Sequence, residues 1–327
     1  MKKTSFPKHI SFISFLFLAA ITPIGPVSCC CFSKRNCLEE ENLLISEKLI
    51  IAEKEITRLN EAYQTAESRA QKALSMLKTP SKNLNDNAGK TILLPAQIIP
   101  LDMVFVEKGS FTMSRKDGDN YEDEVSHTAT LKNNFYIGRT EVTQEQYQAV
   151  MGKNPSPEVI APRMPVVQVS WVDAMTFCDK LNDAGLAPEG WRFTLPTETQ
   201  WEYAASGGEN GHGFKFSGSN VLDEVGWYTE NSDGSMHFVG QKKPNELGIC
   251  DMNGNVWEWC LDDHKGSSRN ATPELNRKNE SGGARRVVRG GSWDYVPRFC
   301  RNAIRDSHSA EYRDNYLGFR VVLVPAQ

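Results

Sequence analysis

Three segments place a short apolar run directly before a helical pattern. FYIGRTEVTQEQYQAVMG reads as a strand followed by a helix, with Thr143 as N-cap and Gln146 as its reciprocal partner. VVQVSWVDAMTFCDKLNDAG repeats the plan, with Ser170 as cap, Asp173 in the first turn and Gly185 as the stop. LPTETQWEYAASGG does so again, with Thr197 as cap and Gln200 as its partner. Upstream, MVFVEKGSFTMS alternates as a strand, turns at Gly109 and resumes. The apolar runs are short and lack regular βα spacing, which argues against a doubly wound sheet. Residues 98–325 are therefore predicted to form an α+β domain with long loops stitched by buried aromatics.

A different period runs through residues 38–78. Leu38, Ile45, Leu49, Ala52, Ile56, Leu59, Tyr63, Ala66, Ala70, Ala73 and Leu77 recur at alternating threes and fours, with no Gly or Pro between them. Asn42 falls on a seam position, where polar residues set register. The expectation is a coiled coil that makes a homo-oligomer; the alternative is a lone stalk helix folded back on the domain. Thr79–Pro80 ends the pattern, and residues 79–97 read as a linker.

The chain opens with Lys2, Lys3 and Lys8, then an apolar run centred on Phe12–Ile21, then small residues before cysteine. That order predicts a signal peptide over residues 1–28 and an exported protein. A retained membrane helix is the alternative, but Pro23 and Pro26 interrupt a run already short of the ~20 residues a span needs. Val27–Ser28–Cys29 is similar to a bacterial lipoprotein signal, which makes Cys29 the candidate lipidated residue and membrane anchor. Cys29, Cys30 and Cys31 can equally be a chance cluster beside a discarded peptide. The expected location is periplasmic, membrane-associated or at the cell surface, an oxidising setting.

Composition narrows the partners. The 327 residues are 39% hydrophobic and 24% charged, with a formal net charge of −4 and no basic patch interleaved with aromatics, so nucleic acid is not an expected partner. Five of the seven tryptophans lie between Trp201 and Trp293, which concentrates attention there. Within it, DMNGNVWE (residues 251–258) sets a carboxylate, a glycine turn, a backbone carbonyl and a second carboxylate at near-alternating places. Calcium takes six to eight hard oxygens from such mixed sources, and Gly254 lets the chain curl towards an ion. The competing reading is an ion-free tight turn with Glu258 in a salt bridge. In either case Trp257 and Trp259 should point the other way, into the core or a cleft floor.

MVFVEKGSFTMS, TEVTQEQY, VSWVDAMTFCDKLN, LPTETQWEYAA, DMNGNVWEWC, RVVRGGSW and LGFRVV together resemble, in order, the motifs of the formylglycine-generating enzyme family, the sulfatase-modifying factor domain. The resemblance implies a C-type-lectin-like fold, poor in regular secondary structure and stabilised by calcium. It places calcium on Asp251, Gly254, Val256 and Glu258, with Asn220 marking a second site whose remaining ligands are not legible. It also places Trp257 and Ser292 in the lining of the active cleft.

The family's oxidase holds copper(I) between two cysteines five residues apart, and soft thiolates suit that ion. Here the second position is Cys300, but the first is Tyr295, a hard phenol oxygen. Copper is accordingly not expected. The family's disulfides are not reproduced either, since partner positions carry Val321, Ala205 and Arg305. Cys178, Cys250, Cys260 and Cys300 could pair in three ways. Cys300 is read as buried or disulfide-bonded, or else as part of a remodelled metal site.

No HExxH, GxSxG or phosphate-loop pattern occurs. The leading expectation is a non-catalytic module that binds a peptide or a glycan. The alternatives are a family oxidoreductase acting on protein cysteine through a remodelled site, and a structural organiser of an envelope or complex.

Overall fold

A computed structural model of the chain describes residues 89–94, 99–114, 126–156, 161–264 and 285–326. The signal peptide, Cys29 and the coiled-coil segment lie outside them. Strands β1 (Lys90–Leu94), β2 (Ile99–Val106), β3 (Ser110–Met113), β4 (His127–Thr130) and β5 (Phe135–Gly138) come first, then helices α1 (Gln144–Met151) and α2 (Trp171–Asp183). After them come β6 (Trp191–Thr194), α3 (Glu198–Ala205), α4 (Leu222–Val225), β7 (Gly226–Trp227), β8 (Asn253–Gly254), β9 (Trp257–Asp263), β10 (Arg285–Arg289), β11 (Arg305–Ser309), β12 (Leu317–Gly318) and β13 (Val322–Pro325).

The main sheet is antiparallel in the order β1-β2-β5-β13-β6, so the last strand lies between two early ones. Its alternation sorts two cores. Met103, Tyr136, Phe193 and Leu323 pack with Tyr147 of α1 and Phe177 of α2. Phe135, Ile137, Val322 and Val324 pack with Trp201 and Ala204 of α3. A second sheet, β11-β10-β9-β12, carries Trp257 and Trp259 two residues apart, so both enter the α1–α2 core, while Cys260 enters the other.

All three helix starts form the expected capping boxes, at Thr143, Ser170 and Thr197. Gly185 follows the end of α2 with φ +66°, as a stop residue should. Two expectations are corrected. Lys90–Leu94, assigned to the linker, is β1 and pairs along its whole length with β2. VVQV is buried but is not a strand: Gln168 takes φ +61°, in the left-handed region, and gives its N–H to Asp314 O. The strand resumed after Gly109 also leaves the main sheet and pairs with β4.

The Ser170 cap is fully buried, and its hydroxyl accepts the Asp173 N–H. Ser170→Ala should cost about 1 kcal/mol of unfolding free energy, read as a lower denaturant midpoint with an unchanged slope.

Candidate functional site

The turn from Asp251 to Glu258 is built on left-handed backbone. Asp251, Gly254 and Asn255 have φ of +58°, +79° and +56°. At Gly254 a Cβ would stand 1.9 Å from Trp227 O, because β8 lies directly against β7 there. Two asparagine side chains staple this curl. Asn253 accepts the Ser217 N–H and donates to Cys300 O and Asn302 Oδ1. Asn255 accepts the His237 N–H and donates to Glu141 Oε1.

Glu258 is fully buried and committed. Arg320 reaches its two oxygens from Nε at 2.6 Å and Nη2 at 2.7 Å, and Trp201 Nε1 donates at 2.7 Å. The guanidinium also donates to the carbonyls of Gly138, Cys250 and Asp251. Both Glu258 oxygens are engaged by a guanidinium, which competes with calcium for that carboxylate. Glu258 takes the salt-bridged arrangement instead. Asn220 lies in another turn, where its Oδ1 accepts the Lys215 N–H. No group of three or more His, Cys, Asp or Glu is placed to hold a metal ion among the described residues.

Asp251 and Glu141 carry the site's remaining electrostatics. Asp251 Oδ2 accepts the Gly240 N–H, while Asp251 Oδ1 and Glu141 Oε2 are buried without a donor. Burial pushes Asp251 up to about 6. Burial, and then the charge of Asp251, raises Glu141 well above the ordinary carboxyl range. Both shifts favour the protonated form of these carboxyls.

The second set of expected residues meets around Tyr295. Its ring stands edge-on to Trp257 at 5.4 Å and its N–H donates to Ser292 O. Tyr316 and Phe299 pack edge-on to Tyr295, all three rings half-buried. Trp257 Nε1 and Ser292 Oγ are buried without partners. Cys300 sits among Phe216, Leu222, Val225 and Tyr228, with Tyr295 at the edge of that cluster. Burial pushes its thiol up to about 12. Cys178, Cys250, Cys260 and Cys300 are all free and buried, so none forms the disulfides left open by the sequence. The two copper positions thus offer one thiol and one hard phenol oxygen in place of the soft thiol pair.

A family model for the sulfatase-modifying factor enzyme 1-like domain matches residues 95–324. The chain belongs to that family. It is 36% identical over 238 residues to a protein named chaperone protein LppX from Paenibacillus barcinonensis, covering 59% of this chain and 78% of that one. It is 33% identical over 176 residues to the formylglycine-generating enzyme of Streptomyces coelicolor, covering 49% of this chain and 52% of the enzyme, so it spans about half of that relative. Among solved structures, Treponema denticola variable protein 1 superposes with a TM-score of 0.62 at 31% identity, over 75% of this chain and 99% of that one. The helix-poor α+β architecture is the family's.

Sequence reasoning missed Glu141, Asn253, Asn255 and Arg320 as organisers of the family's turn. A usable signal existed for two of them: Glu141 and Arg320 are single charges within the short segments TEV and LGFRVV, whose other residues are uncharged, so that a buried charge there must find a partner.

Two measurements check this electrostatic reading. The melting temperature should be the same with excess calcium and with chelator; a chelator-induced fall of several degrees would assign a cation to the Asp251 and Glu141 oxygens. An unfolded carboxyl titrates near ~4, below the folded value of about 6 for Asp251, so the folded state binds the extra proton. That stability is present at low pH and lost as pH rises across this window. Glu141→Gln, which keeps an acceptor for Asn255 and offers Asp251 a donor, should flatten the loss and gain on the wild type by roughly 1–3 kcal/mol above it.

Proposed function

We propose that this chain is an exported member of the family that does not oxidise cysteine, and that it holds a peptide segment in the cleft over Trp257 and Ser292. The observation that carries the reading is the make-up of the two copper positions: Tyr295 replaces one thiol, and Cys300 is buried in an apolar cluster that disfavours its thiolate. Binding groups persist where the redox groups do not. An indole N–H and a hydroxyl lie unpartnered beneath half-exposed rings, a pairing suited to backbone carbonyls and apolar side chains. A relative named as a chaperone protein supports a protein ligand over a glycan. The signal-like start, Cys29 as lipid anchor and residues 38–78 as an oligomerising stalk would present the domain beyond a membrane.

The full chain should bind members of an immobilised array of short peptides graded in apolar content. Trp257→Phe keeps the ring but removes the N–H, and Ser292→Ala removes the hydroxyl; each should weaken binding about tenfold, equal to ~1.4 kcal/mol. Equal binding by both variants, or binding of glycans alone, would reject the peptide cleft. The wild type should leave a cysteine-containing sulfatase peptide unoxidised when given copper, oxygen and reductant, as read by mass spectrometry. Aldehyde in that assay would restore the oxidoreductase reading. Tyr295→Cys should retain Cu(I) against a competing chelator better than the wild type does, because it adds a second thiol beside free Cys300.

A further inference from the structure

A separate cleft of about 380 Å³ lies between the β3–β4 hairpin, the C-terminal end of α3, the glycine-rich turn that follows it, and Asn302–Ala303. Trp257, Ser292 and Tyr295 are not among its lining residues. We propose that it is a saccharide-binding site that takes a neutral pyranose ring or a disaccharide.

The cleft is built and held open. At Gly211 a Cβ would stand 2.0 Å from Ser206 O, so the turn closes only without a side chain and thereby brings Ser206 and Phe214 to one rim. Opposite them, Phe111 is backed by the buried ring of Tyr203 at 5.2 Å. Arg289 fixes the third wall by donating to the carbonyls of Asn302 and Ala303.

The lining chemistry selects the ligand. The Glu202 carboxylate at the base accepts the Ser114 N–H and pairs with buried Arg289, so its charge is already neutralised. Among the described residues no Lys or Arg lines the cleft, and that lining calls for neither an anion nor a cation. Two phenyl rings remain, together with the hydroxyls of Thr112 and Ser206 and the amide of Asn302.

The orientation of that amide is set by a relay. The Ser217 N–H fixes Asn253 Oδ1, which turns Asn253 Nδ2 towards Asn302 Oδ1. Asn302 Nδ2 is thereby left as a donor, with no hydrogen bond of its own among the described residues. Aromatic faces for C–H groups, with a preset donor and two hydroxyls for ring hydroxyls, match a sugar. The volume lies within the roughly 300–1,000 Å³ of small-ligand sites, too small for an extended peptide.

Saturation-transfer NMR on the full chain with cellobiose, maltose and chitobiose tests this. At least one should receive transfer at its ring C–H protons. Phe214→Ala, in a half-buried rim position, and Ser206→Ala should each weaken binding about tenfold, with the melting temperature kept as the check on folding. No transfer to any of the three sugars, or transfer that survives Phe214→Ala, overturns the proposal. Displacement of the sugar by a peptide from the array that lost affinity for Trp257→Phe would also overturn it, because the two sites would then be one.

Discussion

The buried ion pair between Glu258 and Arg320 is the constraint on which the rest of this domain depends. Neither side chain reaches solvent, and an unpaired charge in that position would cost several kcal/mol. Two parallel bonds from the guanidinium and a third from Trp201 hold the carboxylate, while Gly138 O accepts from Nη1 and the carbonyls of Cys250 and Asp251 share Nη2, so every guanidinium nitrogen has an acceptor. Those contacts tie the segment between β12 and β13 to β9, to the end of β5 and to the start of the asparagine turn. With Glu258 turned to one side of β9, its neighbours Trp257 and Trp259 must face the other. The pair thus sets the floor of the candidate cleft without touching it. It also determines what the turn can bind, since a carboxylate held by a guanidinium is poorly placed to hold a second cation.

The same separation of roles governs the chemistry above that floor. A thiol is a nucleophile or a metal ligand only as its thiolate. The phenyl and aliphatic groups around Cys300 disfavour the charged form, and with Tyr295 at the neighbouring position no second thiol shares the load. Tyr295 is itself pushed up to about 12 by burial and by its neighbour Tyr316, so it too stays neutral. Two groups that burial disfavours as anions stand in place of the two thiolates, and this is the ground for proposing a cleft that binds without oxidising.

How much of this was legible beforehand follows from the range of each interaction. Thr143, Ser170 and Thr197 were readable as caps because a capping box closes within three residues. The seven ordered motifs were readable as a family because each is a short string. Glu258 and Arg320 stand 62 residues apart, Asn255 and Glu141 114 apart, and no local pattern links such partners. Gln168 shows the converse limit: VVQV has ideal strand composition, but its bond to Asp314 bends the chain out of any ladder. Lys90–Leu94 was hidden because its composition follows a linker-like stretch, and only the partner strand β2 makes it a strand.

The distribution of satisfied and unsatisfied polar groups carries the argument from fold to function one step further. A buried donor without an acceptor costs about 1–3 kcal/mol, and the asparagines and the arginine around this turn meet such demands, while Asp251 Oδ1 and Glu141 Oε2 do not. Asn253 and Asn255 each use both ends of their amides, and Arg320 spends its guanidinium on two carboxylate oxygens and three carbonyls. Against that background, Trp257 Nε1 and Ser292 Oγ stay unpartnered although both residues adjoin the same half-exposed tyrosine. The turn beneath them could not be loosened to supply a partner without breaking the backbone approach at Gly254. A ligand entering past Tyr295 can supply one. The rigidity that holds those two groups in place is the contribution of the ion pair below, and under the proposed function it would serve binding by limiting the ordering cost of a ligand.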